Sequence, residues 1–344
     1  MIMKIFQIVT LSELGGAQSV LVNLSNSLSK EHKVIVIAGE SDGKMFSTLN
    51  SGITYIKINF LVKKINVIND LRTILSFFLL YRKYKPDIIH LHSSKVGILG
   101  RLVFPKNKIV YTVHGFDSIR LAYRKYLPIE RLLQKRCKAI VAVSHYDEIN
   151  LKAERITNNI QCVYNGYKQV SHKIEVFSIP QKYKKKILCI ARISKQKRFE
   201  TFLEIASILP EYAFIWIGNQ KTIQNTPENV FCLGNIPNAG MYNQFTDLFV
   251  LTSNYEGLPI VIIEAMSYGK PIVASHVGGI SEIVVDHNNG YTVENVASVF
   301  AEKITYILEN EDVYRKFSEN SLRRYNELLT LEKMVQGYMK IYLS

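Results

Sequence analysis

Residues 246–274 read TDLFVLTSNYEGLPIVIIEAMSYGKPIVA and contain one complete strand–helix–strand unit. The short apolar run Leu248–Leu251 predicts a buried strand, Pro259–Tyr268 predicts a helix, and Pro271–Ala274 predicts the next strand. Proline is favoured in the first turn of a helix, so Pro259 marks the start of this one. Strands joined through a helix pair in parallel, and the stretch therefore predicts an α/β fold.

The same alternation extends over both halves of the chain. In the first half we predict strands at Lys4–Thr10, Lys33–Ala38, Tyr55–Lys57, Ile88–Leu91, Lys108–Val113, Ala139–Val143 and Ile160–Val163, with helices at Ala17–Leu28, Val67–Tyr84, Val96–Phe104 and Glu130–Arg136. In the second half we predict further strands at Ile187–Ala191, Ala213–Ile217, Val230–Cys232 and Gly290–Val293, with helices at Phe199–Ile208, Ile280–Val285, Val296–Glu309 and in the tail after Tyr314. Each half then forms a doubly wound sheet with a ligand crevice at the C-terminal ends of its strands.

A polar, lysine-rich segment, Lys168–Lys186, separates the two alternations and reads as a linker. With 344 residues, the chain has the length of two domains. We predict domains at 1–170 and 171–325, and we expect the C-terminal helix at about 326–344 to pack back on the first domain.

Composition and charge placement limit the possible functions. The apolar fraction of 47% and the charged fraction of 21% are ordinary for a globular protein and exclude wholesale disorder. The net charge of +14 lies entirely in residues 1–172, since residues 173–344 hold equal numbers of basic and acidic side chains. A polyanion or an anionic membrane surface is therefore expected to meet the first half.

The cysteines and the apolar runs indicate the compartment. Cys137, Cys162, Cys189 and Cys232 match no zinc or redox spacing, and we expect reduced core thiols in a cytosolic protein. The best apolar run, Ile74–Tyr81, is far shorter than the ~20 residues of a spanning helix, and the N-terminus does not resemble a signal peptide.

Two acidic residues eight positions apart are the first candidates for binding. Glu256 follows the strand Leu248–Leu251 in a loop, and Glu264 lies in the helix that comes next. The N–H groups at a helix start favour a phosphate, and carboxylates favour hydroxyl groups. The alternative is a helix with ordinary surface acids, but the apolar neighbours of Glu264 indicate a partner or a ligand.

Basic and glycine residues follow other strands of the predicted sheets. Arg192 and Lys197 suit a diphosphate, although a solvated basic loop is the alternative. Gly15 and Gly16 would let a phosphate approach the backbone, or they form a plain strand-to-helix turn. His114 could contact a sugar hydroxyl or be structural. His90 and His92 lack a third ligand for a metal site.

Basic and aromatic residues alternate in two segments of the first half, Phe77–Lys85 and Arg120–Lys138. Helices of this kind can lie on anionic lipid with their apolar side down. The alternative is an amphipathic helix that faces its own core. The charge asymmetry favours membrane contact.

Together these residues resemble the retaining glycosyltransferases of family 4, which have the GT-B fold. The spacing of Glu256 and Glu264 is that family's signature, and three flanking stretches match it as well: Thr246–Ser253, Ala265–Ala274 and Val277–Glu282. Further matches fall in the expected order at Gly15–Ala17, His114–Gly115, Val143–Ser144, Arg192 with Lys197, and Leu233–Gly234.

The resemblance implies two Rossmann-like domains facing across a crevice, with a role for each matched position. Glu264 would bind ribose hydroxyls and Glu256 the hydroxyls of the donor sugar. The implied catalytic group is His114, Arg192, Lys197 and Glu256, the two basic residues neutralising the diphosphate. The remaining donor-binding positions would be Gly15, Gly16, Gly218, Leu233, Gly257, Leu258 and Ile260.

The resemblance also implies a reaction without metal or cofactor, because fixed cations and dipoles can stabilise a diphosphate leaving group. Retention of configuration would proceed without a clear protein nucleophile. Two positions depart from the family: Arg198 stands where glycine is usual, and Pro259 stands where many members have glycine. We expect an altered turn at the first and a missing backbone donor at the second.

The function expected on this basis is transfer of a hexose or N-acetylhexosamine, with UDP as the nucleotide, to a lipid-linked saccharide. O-antigen or capsule assembly is the expected setting, on the inner face of the plasma membrane and without a nucleic-acid partner. A sugar-nucleotide epimerase and a non-enzymatic nucleic-acid-binding module are the alternatives. Fold alone does not decide between them.

Overall fold

A computed structural model of the chain describes residues 2–170, 177–219 and 223–344. It divides the chain into two compact units. Unit 1 is Met1–Gly166 with Leu331–Ser344, and unit 2 is Tyr167–Thr330. The chain thus leaves unit 1 four residues earlier than we placed the boundary and returns to it five residues later. Part of the expected linker, 171–176, lies outside the described residues.

Unit 1 contains a seven-stranded parallel sheet with strand order β3-β2-β1-β4-β5-β6-β7. The strands are β1 Lys4–Val9, β2 Lys33–Gly39, β3 Thr54–Ile58, β4 Ile88–Leu91, β5 Ile109–Val113, β6 Ala139–Ala142 and β7 Ile160–Cys162. The helices between them are α1 Gly16–Leu28, α2 Val67–Tyr84, α3 Ser94–Val103, α4 Leu127–Leu133 and α5 His145–Ala153. The central strands are buried on both faces, as the continuous apolar runs of parallel sheets require.

Unit 2 contains a six-stranded parallel sheet with strand order β10-β9-β8-β11-β12-β13. The strands are β8 Lys186–Ile190, β9 Ala213–Ile217, β10 Val230–Cys232, β11 Leu248–Leu251, β12 Ile272–Ser275 and β13 Gly290–Val293. The helices are α6 Phe199–Ile208, α7 Ile260–Ser267, α8 Ile280–Ile283, α9 Ala297–Leu308 and α10 Glu311–Leu328. A 3₁₀ segment, Ala239–Phe245, precedes β11.

The prediction of two doubly wound α/β sheets is confirmed, and each predicted strand is present with ends that differ by at most one residue. Helices α3 and α8 differ from the prediction by two residues at one end, and two other helices differ more. The helix expected at Glu130–Arg136 begins at Leu127 as α4 and ends in a 3₁₀ turn, Gln134–Arg136. Helix α5 was missed because its sequence is polar and buries few side chains.

The tail after Tyr314 is helical but is divided at Leu329–Thr330. Helix α10 belongs to unit 2, whereas α11, Leu331–Leu343, belongs to unit 1 and packs against α1. Because Tyr338 and Tyr342 are buried on α11, this last helix is a structural part of the first sheet's core.

The four cysteines are free thiols. Cys137 and Cys189 are buried, but Cys162 and Cys232 are only half-buried, so the prediction of four core thiols is wrong for those two. Among the described helices, none combines the length and the hydropathy needed to cross a bilayer.

Candidate active site

In unit 2, the loops that follow β8 and β11 are hydrogen-bonded to each other. Asn254 donates through its backbone N–H to the carbonyl of Gln196 (2.8 Å) and through Nδ2 to the carbonyl of Lys195 (2.9 Å). Gln196 donates back to the carbonyl of Tyr255 (2.9 Å). Because β8 and β11 are neighbours in the sheet, their C-terminal ends place both loops at one edge.

An ion pair joins Lys197 to Glu256 where these loops meet. Glu256 is buried and accepts a second hydrogen bond from Oγ of Ser253 (2.6 Å). The sequence suggested a diphosphate for Lys197 and sugar hydroxyls for Glu256, and the structure pairs the two side chains directly. A carboxylate held in this way is fixed in orientation and keeps lone pairs for further donors.

Arg198 adopts the backbone conformation that explains why glycine is usual at this position. It is the N-cap of α6 with φ 45° and ψ 59°, in the left-handed region that favours glycine. Its guanidinium donates to Oγ1 of Thr201 (3.0 Å) and to Oδ1 of Asn254 (3.4 Å). The arginine thus holds a left-handed conformation that is strained for a residue with a side chain, and its guanidinium is anchored at the far end.

Glu264 lies on α7 with its side chain half-buried. No hydrogen bond or ion pair reaches its carboxylate from residues 2–170, 177–219 or 223–344. Burial raises the pKa of Glu264 to about 8. The carboxyl group lies against Gly240, where an added Cβ would be only 2.7 Å from Cδ of Glu264. The glycine in the 3₁₀ segment therefore makes room for this carboxyl group.

The turn that leads into α7 is shaped by backbone contacts. The N–H of Gly279 donates to the carbonyl of Gly257 (2.8 Å). Gly278 has φ 59°, and a Cβ there would lie 2.1 Å from the carbonyl oxygen of Glu256. The side chains of Leu258 and Ile260 are buried, so their candidate contribution to a ligand is through the backbone.

The remaining donor-site candidates of unit 2 lie at the ends of β8, β9 and β10. Arg192 is exposed on the loop after β8. Gly218 has φ 121° and donates to the carbonyl of Gly234 (2.7 Å), while Leu233 donates to the carbonyl of Trp216 (3.0 Å). These positions share the edge of the sheet that carries Lys197.

In unit 1, the loop after β1 ends at Gly15, which is the N-cap of α1, and Gly16 is the first helical residue. The φ of Gly15 is 178°, an extended conformation that any residue adopts, so its backbone angles do not require glycine. Its Cβ position is 2.8 Å from Oε1 of Gln18, the far end of a flexible side chain.

His114 follows β5, is half-buried, and lies at the end of a chain of buried polar side chains. Its Nε2 lies 3.0 Å from Nδ1 of His92, and Nε2 of His92 lies 2.6 Å from Oε1 of Gln7. Gln7 donates through Nε2 to Oη of Tyr342 (3.2 Å), which lies 2.7 Å from Nδ1 of His90. The chain thus connects the strand edge to the C-terminal helix α11.

Burial keeps these histidines neutral. It lowers the pKa of His114 to about 4 and holds the pKa of His92 well below its usual range, with the neighbouring histidines adding to the effect. Burial, with a smaller contribution from His114, also lowers the pKa of His90. Both ring nitrogens of His90 and of His92 have hydrogen-bonding partners within unit 1.

Sequence reasoning missed Gln7, Tyr342 and Gly240. Gln7 is a buried amide within an apolar strand, a signal that could have been noticed because such a group needs partners. Tyr342 is more than 200 residues from its partners, and no local pattern connects it to them.

Comparison with known proteins identifies the chain. Residues 14–168 match the family model described as Glycosyltransferase Family 4, and residues 172–324 match the model described as Glycosyl transferases group 1. The chain belongs to the family 4 glycosyltransferases. A member of that family is an enzyme that transfers sugars. Membership therefore supports neither the sugar-nucleotide epimerase nor the nucleic-acid-binding module that the sequence left as alternatives.

Relatives and a solved structure align over nearly all of this glycosyltransferase. It is 25% identical to the UDP-Gal:alpha-D-GlcNAc-diphosphoundecaprenol alpha-1,3-galactosyltransferase of Escherichia coli, over 99% of this chain and 97% of that one. It is 26% identical to the O-antigen biosynthesis glycosyltransferase WbnH of Escherichia coli, over 98% of each. The crystal structure of Anabaena Alr3699/HepE with UDP and glucose aligns with a TM-score of 0.81, at 18% identity and over 98% of both chains. The prediction of the GT-B fold is confirmed.

Proposed function

We propose that this glycosyltransferase moves a hexose or N-acetylhexosamine from a UDP-sugar to a lipid-linked saccharide in O-antigen or capsule assembly, with retention of configuration. Unit 2 binds the donor, and unit 1 binds the acceptor and the inner face of the plasma membrane. The names of the Escherichia coli relatives support the pathway and the lipid-linked acceptor, and the ligands of the Anabaena structure support UDP.

The observation that carries the donor assignment is the carboxyl group of Glu264. A half-buried carboxyl group with a raised pKa and no described hydrogen-bonding partner lowers the stability of the folded protein. Such groups cluster at functional sites. Ribose hydroxyls can donate to a carboxylate there. On the same edge of the sheet, Lys197 and Arg192 supply positive charge for a diphosphate.

The reaction follows from the leaving group. Breaking the sugar–phosphate bond develops negative charge on the diphosphate, and the ammonium of Lys197 and the guanidinium of Arg192 stabilise it. Glu256 fixes the ammonium of Lys197 through their ion pair, so the cation is in place before the bond breaks. Glu256 holds hydroxyl groups of the donor sugar on unit 2. The acceptor hydroxyl attacks from the face that the diphosphate leaves and gives its proton to the departing phosphate oxygen.

Binding is tested first, by titrating the full chain with UDP, GDP and ADP in a thermal-shift assay. Ligand at 100 times its Kd stabilises a folded protein by about 2.7 kcal/mol. We expect a shift with UDP that Glu264→Ala abolishes and that Glu200→Ala, an exposed glutamate of α6, preserves. A shift with GDP or ADP alone would refute the choice of nucleotide.

Transfer is tested with UDP-galactose, UDP-glucose and their N-acetylamino forms, using undecaprenyl-diphosphate N-acetylglucosamine as the acceptor. We expect a lengthened glycolipid with an α linkage by NMR, since these donors are α-linked. A β-linked product would contradict retention, and conversion of the donor without acceptor would favour an epimerase.

Membrane contact is proposed for helix α2. Its inner face buries Phe77 and Thr73, whereas its outer face exposes a second apolar stripe. The members of the stripe recur at helical spacing and are Val67, Ile68, Leu71, Leu75, Phe78 and Leu79. Exposed basic residues border it, namely Lys63, Lys64, Arg72, Arg82 and Lys83. An apolar stripe with a basic border fits the surface of an anionic bilayer.

Vesicle co-sedimentation tests this assignment. Each basic residue near an anionic surface contributes about 1 kcal/mol, so binding to phosphatidylglycerol vesicles should weaken as salt rises. Leu75→Glu should reduce the bound fraction several-fold, while Leu322→Glu, the same change at an exposed leucine of α10, should leave it unchanged. Equal loss in both variants would refute a role for α2.

A further inference from the structure

We propose that unit 1 binds a zinc ion between the start of α5 and the end of β7, with His145, Glu148 and Cys162 as its ligands. The inference does not rest on the proposed function, because all three side chains belong to unit 1 and none takes part in the proposed binding of the donor. The metal-free reaction that the family resemblance implies concerns the diphosphate on unit 2 and is a separate question.

The three side chains bring together one ligand atom each. A ring nitrogen of His145, a carboxylate oxygen of Glu148 and Sγ of Cys162 all lie within 4.8 Å of one another. A tetrahedral zinc ion has bonds of about 2.0–2.3 Å, which separates its ligand atoms by roughly 3.3–3.8 Å. Side-chain movements of about 1 Å therefore complete the site. Among the residues that the structure describes, no second group of three such side chains lies this close together.

The fold places these ligands on two neighbouring elements. Strands β6 and β7 pair in parallel with Ala142 beside Cys162, and α5 begins at His145, shortly after the end of β6. Glu148 is three residues further along the helix, and residues at this spacing lie on one face. The strand register thus brings the thiol next to the two ligands of the helix.

The carboxylate of Glu148 has one oxygen toward the metal position. Its Oε1 accepts a hydrogen bond from Nζ of Lys152 (2.7 Å), whereas its Oε2 lies 3.0 Å from Nδ1 of His145. An ion that binds Oε2 and the imidazole replaces their mutual hydrogen bond and leaves Lys152 on the other oxygen. The side chain of His145 is 63% exposed, so its ring can turn toward the ion.

The chemistry of the ligands selects the metal. Thiolate and imidazole are preferred by zinc and similar transition-metal ions, whereas magnesium and calcium take oxygen ligands. On binding, the thiol of Cys162 releases its proton to solvent and coordinates as the thiolate. Three protein ligands leave one position of a tetrahedral ion for water.

An ordinary surface network is the competing explanation. His145, Glu148 and Lys152 form hydrogen bonds at helical spacing, and such pairs support a helix without any metal. That network does not include Cys162, which comes from β7. Participation of the thiol therefore distinguishes a metal site from a helix-supporting network.

Cobalt(II) is the probe for the thiol, because a cobalt–thiolate bond gives a charge-transfer absorption in the near ultraviolet. The full chain is treated with a chelator, freed of it, and titrated with cobalt. We expect this absorption to saturate at one ion per chain, to disappear on addition of zinc, and to persist in excess magnesium. A wild-type chain without the absorption, or loss of it with magnesium, would overturn the proposal.

Two cysteine variants form a matched pair. Cys162→Ser should abolish the absorption and raise the Kd for zinc about 100-fold, measured by competition with a chromogenic chelator. Cys232→Ser makes the same change at the half-buried cysteine of unit 2 and should leave both unchanged. Equal effects in the two variants would overturn the site. If Cys162→Ser fails to fold by circular dichroism, His145→Gln makes the same test at an exposed position.

The carboxylate is tested in the same way. Glu148→Gln keeps the shape of the side chain but loses its charge, and it should raise the Kd for zinc at least tenfold while the cobalt–thiolate absorption remains at saturation. Glu31→Gln, the same change at an exposed glutamate of unit 1, should leave the Kd within a factor of two. Equal zinc affinities in these two variants would overturn the assignment of Glu148 as a ligand.

Discussion

The carboxyl group of Glu264 should give unit 2 a pH-dependent stability of calculable size. The unfolded carboxyl group releases its proton near pH 4.5, whereas the folded group retains it until about pH 8. Between these values the folded state holds the extra proton, so the free energy of unfolding falls as pH rises. Each pKa unit corresponds to about 1.4 kcal/mol, and the loss between pH 5 and pH 9 is about 4 kcal/mol.

Glu264→Gln removes this dependence, because the neutral amide resembles the protonated acid. The stability advantage of the variant over the wild type should grow by about 4 kcal/mol between pH 5 and pH 9. The assay is urea unfolding followed by the fluorescence of Trp216, the sole tryptophan, which is buried on β9 and reports on unit 2.

Comparing the variant with the wild type at each pH cancels the contributions that the other titrating groups make to the pH dependence of stability. Glu200→Gln on the exposed face of α6 is the control, and its difference from the wild type should stay constant with pH. The reasoning is refuted if the difference for Glu264→Gln is also constant between pH 5 and pH 9. Binding of UDP to the ionised carboxylate should tighten over the same range.

Three further predictions concern the same edge of unit 2 and use the same fluorescence assay. Arg198→Ala and Arg198→Gly lose the same side-chain contacts, but only the alanine variant keeps a strained left-handed backbone. The glycine variant should therefore be more stable by about 1 kcal/mol. An alanine variant of equal or higher stability would contradict this. Gly240→Ala should lower the free energy of unfolding by about 1 kcal/mol through contact with Glu264, and this effect should disappear in a Glu264→Ala background. Additive effects of the two substitutions would argue against the contact. Lys197→Met should lower the free energy of unfolding by about 3 kcal/mol because it leaves Glu256 buried and unpaired. Adding Glu256→Gln should recover most of that stability. No recovery would show that the ammonium acts through packing alone.

Much of the fold could be predicted because parallel strands are buried on both faces and therefore appear as continuous apolar runs. The strand ends agree within one residue for this reason. Helix α5 was not predicted because its sequence is polar and few of its side chains are buried. Ser144 accepts a hydrogen bond from the backbone of Asp147 (3.1 Å), and this S-x-x-D pattern was the signal that could have revealed it.

The candidate site was predictable only where it is local in sequence. The spacing of Glu256 and Glu264 and the basic residues after β8 could be read directly, since each lies in the loop or the helix that follows a strand. The ion pair between Lys197 and Glu256 could not, because it depends on two loops separated by 59 residues. The link from Tyr342 to Gln7 spans 335 residues and follows from the return of the chain to unit 1.

That return has a consequence for how the molecule is made. The ribosome synthesises the first sheet before any of unit 2, yet α11, which covers part of that sheet, is completed only after residue 330. Unit 2 is continuous in sequence and can fold as soon as it emerges, whereas the core of unit 1 must wait with an uncovered face. A segment made after unit 2 thus completes a sheet made before it, and nascent chains halted before residue 331 should expose that apolar face to chaperones.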